Sequence, residues 1–196
     1  CDRVLRAQGP ALLFENVAGS RLPVAINVYG SEQRMAWALG AEHIDEVVER
    51  IEALFKLSPP ASFWDKLRLL PRLKQMADLL PRAVKSAPCQ EVVVEPPSLA
   101  HLPILTCWPQ DGGPFVTLGA VFTQHPETLA RNVGIYRLQK FDDRTTGMHW
   151  QVHKVGAQHY RRAQELGQDV PVAVTIGGPP VLPYAATAPL PEDLDE

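Results

Sequence analysis

The sequence predicts an α+β fold, with a helix-rich α/β N-terminal domain followed by an antiparallel barrel of short strands. Three observations carry this. Through the first 86 residues, apolar side chains recur three and four positions apart, the period of a helix. Beyond position 97 they recur as short runs at close intervals, which suits strands. Prolines, 19 among 196 residues, are about twice their usual share of ~5%. They cluster at 95–115 and 171–191, where they favour turns over long helices.

In chain order, residues 2–9 (DRVLRAQG) read as the last turns of a helix that Gly9 can stop. Residues 11–16 and 23–29 are short, apolar and bounded by Gly and Pro, so they read as strands. A helix begins at Ser31, with Met35, Ala36 and Leu39 at helical spacing before Gly40. A second covers 44–57, with Ile44, Val47, Val48, Ile51, Leu54 and Phe55 on one face. Ser62 with Asp65 opens a third, ending about Leu70. Pro71 opens a fourth, striped by Leu73, Met76, Leu79 and Leu80. These stripes are core, and nothing in residues 1–86 carries chemistry. Residues 90–95 (QEVVVE) read as a strand, and the prolines at 96, 97 and 103 mark a linker. The domains expected are therefore 1–97 and 98–196. In the second, apolar runs at 103–107, 115–124, 132–139, 147–153 and 171–176 suit an antiparallel barrel. One amphipathic helix, 155–166, interrupts them. Asp111-Gly112-Gly113-Pro114 and Gly177-Gly178-Pro179-Pro180 are explicit turns.

Composition narrows the function. A net charge of −3 carries no basic footprint for nucleic acid. No apolar run approaches the ~18 residues of a membrane span, and no signal peptide is visible. Cys1, Cys89 and Cys107 are too few and scattered for a disulfide framework, which fits a reducing, cytoplasmic setting. Both chain ends read as cut. A helix seldom begins at a first residue, and Pro191 to Glu196 has the proline and acids of a helix start. The expectation is a fragment of a longer protein.

Two segments could carry chemistry. His149 and His153 sit four apart in GMHWQVH. On a helix that is a zinc spacing, but the hydrolase motif needs Glu after the first His, where this chain has Trp150. On a strand, His149, Gln151 and His153 share one face and Trp150 and Val152 the other. Metal ligation and a plain polar barrel face both remain open at that point. As a strand, NVGIYR (132–137) puts Asn132, Gly134 and Tyr136 on one face and Val133, Ile135 and Arg137 on the other. Arg137 is then either a buried anion anchor or a rim side chain with its head in water. The glycine-rich turns match neither a P-loop nor a dinucleotide fingerprint.

Taken together, LPILTCWPQDGGPFVTLGAVFT (102–123), NVGIYRLQ (132–139), TTGMHWQVHKVGA (145–157) and YAATAPLP (184–191) resemble the UbiD family of prenylated-FMN-dependent decarboxylases. GPALLFENVAGS (9–20) is similar to that family's N-terminal domain. The resemblance implies an α/β domain, then a split β-barrel of the flavin-reductase type, then a C-terminal domain absent from this sequence. It implies prenylated FMN held through Mn2+ (or Mg2+), with K+ nearby. Asn132, His153 and Glu196 fall on the family's metal ligands, and Arg137 on its catalytic arginine. Ile135, Tyr136, Arg137, His149, Trp150 and Gln151 would line the cofactor. Thr117 would face the flavin, and Lys154 and Val155 would sit near the phosphate. Val155 departs from the pattern, since an acid often follows His-Lys in the family.

The implied activity is removal or exchange of CO2 on an aromatic or α,β-unsaturated acid, by a homo-oligomer when full length. A flavin prenyltransferase would supply the cofactor. The fragment alone, lacking the family's acidic proton donor, is expected to be inert. Two other readings compete: an FMN-binding, flavin-reductase-like module, and a zinc hydrolase using His149 and His153. The metal triad counts against the first of these, and the missing glutamate against the second.

Overall fold

A computed structural model of the chain describes residues 2–55 and 83–188. The helices expected at 62–70 and from Pro71, and the helix start at Pro191, lie outside the described residues. The N-terminal part opens with α1 (Asp2–Arg6), and the Gly9 N–H closes onto the Val4 carbonyl. Strands β1 (Leu12–Phe14) and β2 (Val24–Ile26) pair antiparallel, Leu12 opposite Ile26 and Phe14 opposite Val24. Strand β2 stops short of the expected residue 29. Asn27 adopts φ 58°, the left-handed region that Asn tolerates and most residues avoid. Its amide then donates to the carbonyls of Gly9 and Pro10, so the turn is tied to the segment behind it.

Helix α2 (Glu32–Ala38) starts as its sequence predicts. The Ser31 hydroxyl accepts from the Arg34 N–H, filling one of the donors a helix start leaves open. Gly40 ends it at φ 68°, where the Ala41 N–H reaches back to the Ala36 carbonyl. Helix α3 (Ile44–Phe55) packs on α2. Its expected apolar face is only half covered: Val48 and Ile51 remain exposed.

The 90–95 strand does not form. A short 3-10 turn occupies Pro88–Gln90, and Val92, Val93 and Val94 lie exposed without a strand partner among the described residues. β-propensity needs a neighbouring strand to supply hydrogen bonds and packing. Among the described residues none runs beside this stretch, and the two prolines that follow carry no N–H for a ladder.

Beyond it, among the described residues, six strands form two three-stranded antiparallel sheets. One orders β3 (Phe115–Val116), β6 (Leu138–Lys140) and β7 (Thr146–Met148). The other places β4 (Ala120–Gln124) between β5 (Arg131–Ile135) and β8 (Ala173–Thr175). Among the described residues the sheets do not close into one barrel. A shared core joins them: Val116 and Leu138 from the first meet Val121 from the second and Tyr136 just past the end of β5, with Met148, Trp150 and Val174 around them. The 103–107 run contributes one bridge, Leu105 to Phe115, rather than a strand.

Helix α4 (Val155–Glu165) covers β4 and β5. It buries Gly156, Ala157, His159 and Ala163, while Arg162 on its outer side grips Glu127 with two nitrogens. The short helix α5 (Val181–Ala185) follows the 177–180 turn. There the Tyr29 hydroxyl donates to the Pro180 carbonyl at 2.8 Å, joining the two ends of the described chain.

Candidate functional site

Strand β5 has the alternation its sequence predicts. Asn132, Gly134 and Tyr136 are buried, whereas Val133, Ile135 and Arg137 are partly open. The buried face lies under α4, where the Tyr136 hydroxyl accepts from the Gly156 N–H at 3.0 Å. That contact pins the start of α4 to the end of β5.

The expected strand over 147–153 ends instead at Met148. The His149 N–H still donates to the Arg137 carbonyl at 2.9 Å, but the chain then turns through Val152 and His153 into α4. Hence His149, Gln151 and His153 do not share a strand face. The chain leaves its extended course to enter α4, whose first turn packs Gly156 against Trp150 and Tyr136.

A pocket of about 260 Å³ opens between these segments. It is lined by Thr117, Ile135, Tyr136, Arg137, His149, Gln151 and Lys154. Four segments meet there: the β3–β4 turn, the end of β5, the loop after β7 and the start of α4. The Lys154 ammonium lies 5.5 Å from the Tyr136 ring centre. Lys154 caps α4 with no side-chain hydrogen bond, and the first turn holds no acid. The pocket mouth therefore combines a lysine with a helix start, an arrangement that attracts phosphate.

Arg137 is fixed from two sides. Its guanidinium lies 3.8 Å from the Phe115 ring centre, and Nη2 donates to Asp111 Oδ2 at 2.9 Å. Sequence reasoning took Asp111 only as the opening of a turn. Its signal was an acid just before the strand that carries the arginine's stacking partner, Phe115.

Asn132, Trp150, His153 and Val155 do not line the pocket. Asn132 is 6% exposed, and its side-chain nitrogen is buried without a partner. Such an orphan is a place where a bound group would complete the hydrogen bonding. Trp150 packs on Tyr136 and stacks on Tyr160, so it backs the pocket wall from the core side. His153 is exposed in the turn and Val155 opens α4. Glu196 lies outside the described residues.

Asn132 and His153 offer an amide oxygen and an imidazole, donors that suit manganese or magnesium. Among the described residues no group of three or more His, Cys, Asp and Glu could hold a metal. The helical zinc arrangement of His149 and His153 is likewise not formed, since both precede α4.

A second histidine pair was missed by sequence reasoning. His159 on α4 is 4% exposed, and its Nδ1 lies 3.0 Å from the Thr123 hydroxyl. His125 meets it edge-on at 5.4 Å. Burial first, and the neighbouring His125 second, hold the His159 imidazole below its ordinary pKa. No local signal links two histidines so far apart in the chain.

Comparison with known proteins adds the following. The family model described as the 3-octaprenyl-4-hydroxybenzoate carboxy-lyase Rift-related domain (UbiD) matches residues 82–196, and the corresponding N-terminal domain model matches residues 1–54. An uncharacterized protein of Aquifex aeolicus is 46% identical over 198 residues, spanning 100% of this chain and 41% of that protein. The UbiD-class enzyme HmfF from Pelotomaculum thermopropionicum, in complex with FMN, superposes with a TM-score of 0.74 at 25% identity. The match covers 94% of this chain and 38% of that one. An evolved dimeric form of HmfF in complex with prFMN gives 0.73 at 25% identity, covering 95% and 39%. Vanillic acid decarboxylase of Sedimentibacter hydroxybenzoicus in its closed form gives 0.75 at 27% identity, covering 98% and 40%. The chain thus spans about two fifths of the length of these proteins.

Proposed function

The chain belongs to the UbiD family, and from that premise we propose that it is part of a carboxy-lyase using prenylated FMN to remove or exchange CO2 on an aromatic or α,β-unsaturated carboxylic acid. The observation that carries this reading is the pocket. Thr117, Ile135, Tyr136, Arg137, His149, Gln151 and Lys154 line one cavity, and all seven are positions that the resemblance assigns to cofactor or substrate. FMN and prFMN in the HmfF structures support a flavin as the occupant. In this reading residues 98–196 are the cofactor domain, of the split-barrel type, and residues 1–97 are the N-terminal domain.

When bound, prenylated FMN supplies the electron-accepting chemistry that lets carbon dioxide leave. The chain's own residues bind and orient. Lys154 and the first turn of α4 take the phosphate. Asn132, His153 and Glu196 would hold the divalent ion, manganese or magnesium by the nature of their donors, and the ion would offset the negative charge of the phosphate, with potassium as a further cation. Tyr136 forms a wall and, through Gly156, keeps α4 in place. Arg137 keeps its charge and offers a fork of donors, so it receives the substrate carboxylate and stabilises negative charge as the carbon–carbon bond breaks. The resemblance gives the family an acidic proton donor, and no carboxylic acid is among the described residues that line the pocket. The working form is a cytoplasmic homo-oligomer fed by a flavin prenyltransferase.

The test is made on full-length, cofactor-loaded protein. Arg137→Ala should keep its flavin yet lose turnover. The expected barrier increase is about 3 kcal/mol, by analogy with removing one oxyanion donor. Glu196→Gln should lose metal and flavin together. A near-normal rate in the first variant, or full flavin with metal lost in the second, overturns the assignments. Bound FMN without release of carbon dioxide from any acid favours the FMN-binding module instead.

A further inference from the structure

The loop before β3 is built to present one carboxylate. The Asp111 N–H donates to the Trp108 carbonyl at 3.1 Å, and Asp111 Oδ2 accepts from the Trp108 N–H at 3.1 Å. The next residue is held as well, since Gln139 of β6 donates to the Gly112 carbonyl at 2.9 Å. The Phe115 N–H closes onto the Leu105 carbonyl. The loop's backbone is thus tied to two neighbouring segments, and the Asp111 side chain is 12% exposed.

The same Oδ2 atom meets Arg137 Nη2 at 2.9 Å, while the Phe115 ring lies 3.8 Å from the guanidinium carbon. An arginine side chain with its charge at a pocket wall has many rotamers, and ordering them costs free energy on binding. Here a carboxylate at one nitrogen and a ring against the guanidinium restrict them in advance. Asp111 engages one of the five N–H donors that a guanidinium carries. The remaining donors are available to a second carboxylate entering the pocket that Arg137 lines.

We propose that Asp111 is a positioning residue that orders Arg137 for carboxylate binding, with Phe115 as the stacking surface. The proposal rests on the reading of Arg137 as the receiver of the substrate carboxylate. Asp111 touches neither substrate nor cofactor in this account. It acts by restricting the guanidinium before the acid arrives.

The experiment uses full-length, flavin-loaded protein with benzoate and cinnamate as probes, titrated by the change in flavin absorbance. Asp111→Asn keeps an oxygen for the Trp108 N–H but removes the charge. It should weaken probe binding about fivefold, the upper range for a partly exposed ion pair, with flavin content unchanged. Asp111→Glu should recover most of the loss. In an Arg137→Ala background, Asp111→Asn should cause no further loss, because coupled residues are non-additive. Nitrogen NMR of the Arg137 side chain should show faster guanidinium rotation in Asp111→Asn.

If Asp111→Asn binds as wild type while Asp111→Ala does not, the carboxylate serves only the turn and the proposal is overturned. The same holds if the fivefold loss persists without Arg137, or if Asp111→Asn loses its flavin. Should Arg137→Ala bind both probes normally, or wild type bind neither, the carboxylate reading of Arg137 falls and this proposal with it. An impaired Arg137→Ala beside an unaffected Asp111→Asn removes the positioning role alone.

Discussion

Residues 92–94 are three valines in a row, and residues 120–123 read Ala-Val-Phe-Thr. Both stretches prefer extended backbone. The second is the central strand of its sheet, with β5 on one side and β8 on the other, and Val121 is 0% exposed. The first forms no strand, and Val92 and Val93 are 79% and 72% exposed. The difference does not lie in the residues. Strand 120–124 has the Arg131–Ile135 segment a short turn away to pair with, whereas the valines are followed by two prolines and meet no partner among the described residues. Local preference proposes a strand, and a neighbouring chain decides it.

The sharpest way to break this comparison is to put a charge at both places. Val121→Asp buries a carboxylate in a fully closed position and should cost more than about 4 kcal/mol, enough to abolish folding in a denaturant titration. A folded Val121→Asp protein of near-normal stability would show that the closed sheet is not the structural centre.

The tightness of the closed region can be read from its glycines. A Cβ on Gly156 would lie 2.6 Å from Trp150 and 2.7 Å from the Tyr136 hydroxyl, both held in the core. Gly156→Ala should therefore destabilise by about 2 kcal/mol through overpacking and lower flavin content by shifting α4. A Cβ on Gly147 would meet the Phe141 ring at 2.5 Å, yet that ring is 63% exposed and can swing away. Gly147→Ala should be much milder. Equal losses in the two variants, measured by thermal unfolding, would contradict the contrast.

Tyr136→Phe removes the acceptor of the buried Gly156 N–H. Leaving that donor unsatisfied should cost about 1–2 kcal/mol. A denaturation midpoint unchanged from wild type would mean that the contact does not hold α4 down.

His159 extends the comparison to pH. Burial and His125 depress its folded-state pKa below the usual 6.5, so the folded protein prefers the neutral ring. The unfolded chain binds the extra proton first. The contribution of His159 is therefore fully present above about pH 6.5 and is lost as pH falls from there towards the depressed folded value. Urea titrations across that window should show stability falling with pH, and His159→Gln should flatten the slope. An unchanged slope would assign the effect to other groups. The smallest effect belongs to the exposed stretch: Val93→Asp should change stability by no more than about 0.5 kcal/mol. A large loss there would reveal a partner for the valines.

Sequence alone determined the features whose signals are local. The Ser31 cap, the Gly40 stop and the amphipathic start and length of α4 follow from side chains three or four residues apart. The alternation of β5 follows from its period of two. The seven pocket residues were legible because a resemblance over residues 102–157 carried them, since none stands out by residue type. Tertiary structure decided where strands end and which charges meet. The valines at 92–94 have no strand partner among the described residues, and the 147–153 run stops at Met148, ahead of the turn into α4 that packs Gly156 on Tyr136. Asp111 and Arg137 lie in separate segments, as do Thr123 and His159. Neither pair is written in any spacing, because hydrogen bonds and ion pairs between distant segments exist only once the sheets and α4 have brought those segments together.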